Sequence, residues 1–221
     1  MKNILNVILG LGMLVASSTN SFAGDDKKSA KSILDELSKN TKSYSSISAE
    51  LSYVVVGKDK KTKDNQTMNI KVKGKKFRLN IPGNLIVSNG EKVWNKSFES
   101  GEVVVKCGEE ESSMNPSNIF TMYEKGYSYS LSKTEKVGKN TTYIIKMVPE
   151  KKNKMDSVFL YVDGSKKKIL KMKKFMTNGN TETYEIKKFV PNSQMAESDF
   201  VYDTSKTPKD LLIIECDGKD H

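Results

Sequence analysis

Histidine is all but missing from this sequence: of 221 residues only the last, His221, carries an imidazole. Chain ends fray, and without an internal histidine most hydrolase designs lose their general base. No G-x-S-x-G elbow, H-E-x-x-H pair, glycine-rich phosphate loop or paired-cysteine zinc spacing occurs either. Arginine is equally scarce. Arg78 is the only one, although Lys+Arg reach 37 against 27 Asp+Glu, a formal net charge of +10. Guanine and phosphate are best read by the bidentate guanidinium fork, so a basic but arginine-poor chain is not expected to bind nucleic acid. Carboxylates alone can run glycoside hydrolysis. Here almost every Asp and Glu sits beside lysines or in a turn, as solvated charges do. The expectation is therefore no catalysis, no metal and no cofactor, and a carboxylate enzyme would need an Asp or Glu that is both buried and strongly shifted.

Cysteine is limited to Cys107 and Cys216, each at the end of an apolar run, Val103 to Val105 and Leu211 to Ile214. A disulfide between them and two buried free thiols both stay open. Long apolar runs are limited to one, Ile4 to Ala16, preceded by Lys2 and followed by small and polar residues to Ala23. That is the three-part secretory signal pattern, and the run is short of the roughly 20 residues a spanning helix needs. Ser21 and Ala23 suit cleavage before Gly24, which makes residues 1–23 a signal peptide and 24–221 a single exported, soluble domain. A retained anchor is the alternative. No cysteine stands at the expected cut, so lipidation there is not expected.

What is present is mostly period two. Ser29 can cap a helix whose apolar Ile33, Leu34 and Leu37 share a face and which ends near Asn40. From Ile47 the pattern alternates through Ala49, Leu51, Tyr53 and Val55, then through Met68, Ile70 and Val72, then through Phe77, Leu79 and Ile81. Asn89-Gly90, Ser100-Gly101, Asp163-Gly164 and Asn178-Gly179 mark turns between further strands. The last apolar strand is expected near Leu211 to Glu215. One segment breaks the alternation: Asn115-Pro116 opens it and Gly126 ends it, as for a helix. Its Ile119, Phe120 and Met122 are expected to rest over the sheet, with Tyr123 nearer the edge. About ten or eleven strands at roughly 8–12-residue spacing favour one long antiparallel sheet curling on itself, with two helices filling or lidding its concave face. On spacing alone, the alternating apolar residues are an ordinary core.

Several segments in order resemble the LolA family of periplasmic lipoprotein carriers. They are Ile33-Leu34-Asp35, Ala49-Glu50-Leu51, Val72 to Leu79, Ile86 to Trp94, Asn115 to Phe120, Tyr184-Glu185-Ile186 and Phe200-Val201-Tyr202. The most specific is the S-x-G-x-x-V-W hairpin, Ser88 to Trp94, behind an aromatic strand. This resemblance implies an α+β, mostly β fold: a single strongly curved antiparallel sheet forming an incomplete barrel, with helices covering the concave face. It also implies a periplasmic monomer that takes the acyl chains of lipoproteins into an apolar cavity and moves them from the inner to the outer membrane. Its partners would be acylated lipoproteins, an inner-membrane lipoprotein-releasing transporter and an outer-membrane acceptor. Leu51, Phe77, Leu79, Ile81 and Trp94 would line the sheet side of the cavity and Ile119 and Phe120 the lid side. Lys75 or Arg78 would serve as a lid latch, since Gly74-Lys75 stands where relatives often carry an arginine. A lipid- or lipoprotein-sensing regulator, or another apolar-ligand binder of the same fold, is the alternative function.

Overall fold

The computed structural model describes residues 23–107 and 118–215. The expected signal sequence up to residue 22, the helix-opening pair Asn115 and Pro116, and Cys216 lie outside the described residues. Helix α1 (Ala23–Lys42) buries Ala30, Leu34 and Leu37, whose spacing keeps them on one face. Lys31 and Asp35 pair at 2.6 Å on the exposed side, and Lys39 and Lys42 occupy the last turn, where cations suit the negative end of the helix dipole. Ser29, expected as the N-cap, lies inside the helix. The turns before it are polar, so no apolar period announced them.

Among the described residues twelve strands follow in one sheet. They are β1 (Ile47–Val56), β2 (Thr62–Lys73), β3 (Lys76–Ile81), β4 (Asn84–Ser88), β5 (Lys92–Ser97) and β6 (Val103–Cys107), then β7 (Tyr127–Val137), β8 (Asn140–Pro149), β9 (Met155–Asp163), β10 (Lys168–Met176), β11 (Thr181–Pro191) and β12 (Leu212–Glu215). Their order is β12-β6-β5-β4-β3-β2-β1-β11-β10-β9-β8-β7, so β12 and β7 are the edges and the sheet does not close. Two antiparallel meanders are thus joined where β1 pairs with β11. In the β4–β5 turn, the Asn89 carboxamide oxygen accepts from the Glu91 and Lys92 amides at 2.9 Å, and Gly90 takes φ +94.

One strand departs from the antiparallel expectation: β12 pairs with β6 in parallel, Leu212 opposite Val103 and Glu215 opposite Lys106. Parallel pairing needs a long connection, here β7 to β11 and then the strap of residues 192–211, whose turns at Glu197–Phe200, Thr204–Lys206 and Lys209–Leu211 bring the chain from β11 to the side of β6. Cys107, at the end of β6, is disulfide-bonded, and the chain's one other cysteine is Cys216. The question left open by the sequence is thereby answered for Cys107.

Cross-strand register separates the two faces. Ala49 opposes Ile70, Ile70 opposes Leu79 and Leu79 opposes Ile86, so these share one face, the inner face. The main core lies there, joining Leu34 and Leu37 of α1 to Leu51, Phe77, Leu160 and Met172. The other face carries a smaller apolar patch, Val87, Val103 and Val105, all buried. The strap crosses that outer face. Asn192 donates to the Ser46 carbonyl at 2.8 Å and accepts from the Ser45 amide at 2.9 Å. Further along, Asp199 pairs with Lys71 at 2.7 Å, Glu197 pairs with Lys73 at 2.8 Å and also with Lys76, and Phe200 is 1% exposed. Alternating lysines on β2 and β3 are therefore answered by the strap's carboxylates.

Candidate functional site

Burial on the inner face is graded along the strands. In β1, Ile47, Ala49 and Leu51 are buried, while Tyr53 and Val55 are half-buried. In β2, Val72 and Ile70 are buried and Met68 is half-buried; in β3, Phe77 is buried and Leu79 and Ile81 are half-buried. Ile86 of β4 continues the half-buried strip. Leu51 and Phe77 therefore form a closed floor at 0% exposure. Met68, Leu79, Ile81 and Ile86 present apolar surface that the protein itself does not fully cover.

Tyr53 and Tyr184 stand opposite each other across β1 and β11, ring centroids 4.7 Å apart, and bound this strip on one side. The Tyr184 hydroxyl donates to Glu182 at 3.2 Å. Lys174, on β10, sets its ammonium 4.8 Å from the centroid of the Tyr184 ring. Burial, with the Glu182 charge acting in the same direction, pushes the phenols of Tyr53 and Tyr184 above their ordinary range. Burial likewise pushes the Lys174 ammonium down, against the opposing pull of Glu182. Tyr53 and Tyr184 were read in the sequence only as strand positions, and Glu182 and Lys174 were not singled out, Lys174 being one lysine in the run Lys171 to Lys174.

Of the expected second helix, the described part begins at Asn118. Helix α2 spans Asn118–Thr121 and passes into a 3-10 turn, Met122–Glu124. Phe120 is buried, its ring edge-on to Phe189 at 5.9 Å, and Tyr44 meets the same ring at 5.7 Å. The side chains of Ile119 and Met122 lie outside the described residues. Tyr123, expected near the edge, is instead 2% exposed and part of the main core. A cavity of about 160 Å³ remains between Thr41, Tyr44, Ile47, Val72 and Phe120. Glu124 accepts from the Ser38 hydroxyl at 2.7 Å and pairs with Lys42 at 2.9 Å, tying this segment to α1.

Other expected site residues fall elsewhere. Val87 faces both Arg78 and Trp94 across the ladders, and Ser88 faces both Phe77 and Val93, so Trp94 and Arg78 stand on the face opposite Phe77. The short β4–β5 turn decides this, because Trp94 is one residue beyond Val93 and side chains alternate. Arg78 donates from Nη1 to the Asp199 carbonyl at 3.3 Å, so it holds the strap rather than α2. Lys75 is exposed in the turn between β2 and β3. No cluster of metal-ligating side chains occurs among the described residues. None of their helices is long and apolar enough to cross a membrane.

Residues 18–179 match the family model described as outer membrane lipoprotein carrier protein LolA. No curated protein matches the chain. Among solved structures, an uncharacterized conserved protein from Thermus thermophilus is similar, with 14% identity over 85% of this chain and 99% of that one and a TM-score of 0.56. A LolA superfamily protein from Nitrosomonas europaea shares 12% identity over 78% of this chain and 97% of its own, at a TM-score of 0.41. The Mycobacterium tuberculosis lipoprotein LppX shares 11% identity over 76% and 98%, at a TM-score of 0.47. At such identities the likeness to the Thermus protein is one of fold alone.

Proposed function

The chain belongs to the outer membrane lipoprotein carrier protein LolA family, and we propose that it is a periplasmic carrier whose inner face takes up the acyl chains of lipoproteins. The observation that carries this reading is the half-buried apolar strip of Met68, Leu79, Ile81 and Ile86 on the inner face of a sheet that does not close. A lipid chain laid there would complete the burial that α1 and the α2 segment leave unfinished. In this reading the α2 segment is a movable lid, and Phe120 is its apolar underside.

Energetics set the rest of the proposal. Burying a lipid chain is worth about 0.8 kcal/mol per methylene, so a dozen methylenes gain on the order of 10 kcal/mol over water. A bilayer offers the same gain, so extraction into the protein is close to neutral at best. An energised inner-membrane transporter would load the carrier, and an outer-membrane acceptor with a better site would unload it. The chain itself would bind, shield and release, with no catalytic step and no cofactor.

Isolation of the protein from its native cell envelope, followed by mass spectrometry of what accompanies it, tests the proposal. Acylated lipoprotein or lipid in stoichiometric amount is the expected result. A protein that arrives empty and takes up no acylated probe would overturn it.

A further inference from the structure

We propose that the loop end toward which the inner face opens docks on an anionic bilayer. Exposed lysines of the β1–β2 and β8–β9 loops, Lys58, Lys60, Lys61, Lys151, Lys152 and Lys154, meet the phospholipid headgroups there. Docking stands on these charges and their placement; only its use, the passage of acyl chains between leaflet and strip, rests on the carrier reading.

Contacts between the loops join them into one rim. Lys58 lies against Gly179 of the β10–β11 turn, where a Cβ would come within 3.1 Å of its side chain. In the same turn the Thr177 amide donates to the Lys154 carbonyl at 3.1 Å. At the far side of the β8–β9 loop, the Glu150 amide donates to the Gly126 carbonyl at 3.0 Å, where the α2 segment passes into β7. From β1 to β8 the rim crosses four strand spacings, about 19 Å. Next to it on β1, Tyr53 and Val55 are half-buried, whereas Ile47 and Ala49 at the other end are buried, so the inner face opens toward the lysines. Inside the rim Asp64 and Glu182 flank Val55. They accept from Gln66 at 2.9 Å and from Tyr184 at 3.2 Å, and Lys174 faces Glu182 across the ladder.

Charge at the loop tips is one-sided. Lys58, Lys60, Lys61 and Lys63 stand against Asp59 alone, and Asp59 is paired with Lys63 at 2.7 Å. The β8–β9 loop sets three lysines against Glu150. Among the described residues none of the six proposed lysines has a carboxylate within 4.0 Å. Lys60 takes φ +61, which glycine or asparagine adopts more readily, so the turn itself does not call for a lysine. A protein interface is centred on aromatic and arginine anchors and is poor in lysine. Neither loop holds an aromatic residue or an arginine. Flexible point charges spread along an arc suit a surface of many anionic headgroups instead, and their attraction accumulates lysine by lysine. At the opposite end of the sheet, Lys73 and Lys76 are held by Glu197 and Lys167 by Glu36.

Co-sedimentation of the exported protein with vesicles of phosphatidylcholine, alone or mixed in equal parts with phosphatidylglycerol, tests this. The rim variant combines Lys60→Gln, Lys61→Gln, Lys151→Gln and Lys152→Gln. A control of equal net charge combines Lys75→Gln, Lys92→Gln, Lys139→Gln and Lys166→Gln, all exposed at the opposite end of the sheet. A third variant changes the four rim lysines to arginine. The wild type should bind the anionic vesicles alone and leave them at high salt, a result that needs no variant. The rim variant should bind at least about ten-fold more weakly, and the control and arginine variants within about three-fold of the wild type. Equal losses in rim and control variants, or a wild type indifferent to phosphatidylglycerol, overturn the docking proposal. A wild type that ignores anionic vesicles yet binds polyglutamate overturns it in favour of an acidic protein face. Uptake of an acylated probe in solution, measured alongside, tests the carrier reading separately: its absence overturns that reading, while docking is judged by sedimentation alone.

Discussion

Lys42, in the last turn of α1, and Glu124, just beyond α2, form an ion pair at 2.9 Å that joins the helix to the proposed lid. Burial raises the Glu124 carboxyl, but the Ser38 hydrogen bond and the Lys42 bond and charge outweigh it, so the net shift is downward. A lowered carboxyl stabilises the fold above its unfolded value, and that contribution disappears as pH falls through the folded one. Lys42 is well exposed, so the pair is worth only about 0.5–1 kcal/mol. Glu124→Gln should raise amide exchange across residues 118–124 by about two- to five-fold while leaving the melting temperature nearly unchanged. Unaltered exchange there would show that the latch lies elsewhere.

The strap offers a second pH-dependent contact. Hydrogen bonds and charge from Lys73 and Lys76 hold Glu197 down at about 2. Its contribution is present above the usual carboxyl range and is lost as pH falls from about 4.5 to about 2. Trp94, the only tryptophan, shares the outer face with Val87 and Val105 and reports on the cover over that face. Its emission should shift to the red in this acid window. In Glu197→Gln the part of the shift due to this contact should be missing, and identical titration curves would refute the assignment.

Closed floor and open strip should respond differently to truncation. Phe77 is 0% exposed, so Phe77→Ala should cost about 3–5 kcal/mol by denaturant unfolding. Leu79→Ala or Ile81→Ala, at half-buried positions, should cost less, about 1–2 kcal/mol, and should mainly weaken uptake of an acylated probe. Equal losses of stability at all three positions, with uptake preserved, would mean a plain core.

The bonded Cys107 ends β6, which lies between β5 and the short edge strand β12. Cys107→Ser, or reduction of the wild type, should lower unfolding free energy by about 2–5 kcal/mol. A midpoint unchanged by reductant would contradict a structural role for the bond.

Much of this protein is legible in its sequence. Period-two runs, Asn-Gly and Asp-Gly turns and the stripe of Leu34 and Leu37 depend on local rules, so β1 to β11 and α1 appear close to where alternation and helical spacing put them. Where the local rule was weak, the expectation slipped. The polar start of α1 carries no apolar period, and the second helix gives way to a 3-10 turn at Met122, before its Gly126 bracket.

Only the tertiary structure could decide which face each strand shows to which partner. Trp94 reads as apolar wherever it stands, and a single step of register from Val93 sends it to the outer rather than the inner face. Likewise nothing in the run Lys171 to Lys174 distinguishes Lys174, until pairing with β9 and β11 sets it opposite Val158 and Glu182. The parallel seat of β12 on β6 is non-local too, because it depends on a strap that crosses the outer face and is held there by Lys71, Lys73 and Lys76. Composition and spacing determine which elements form, since those preferences act within a few residues. The joining of β1 to β11, the seat of β12 and the strap's grip are instead set by contacts more than a hundred residues apart, such as Lys71 to Asp199, which no local pattern encodes.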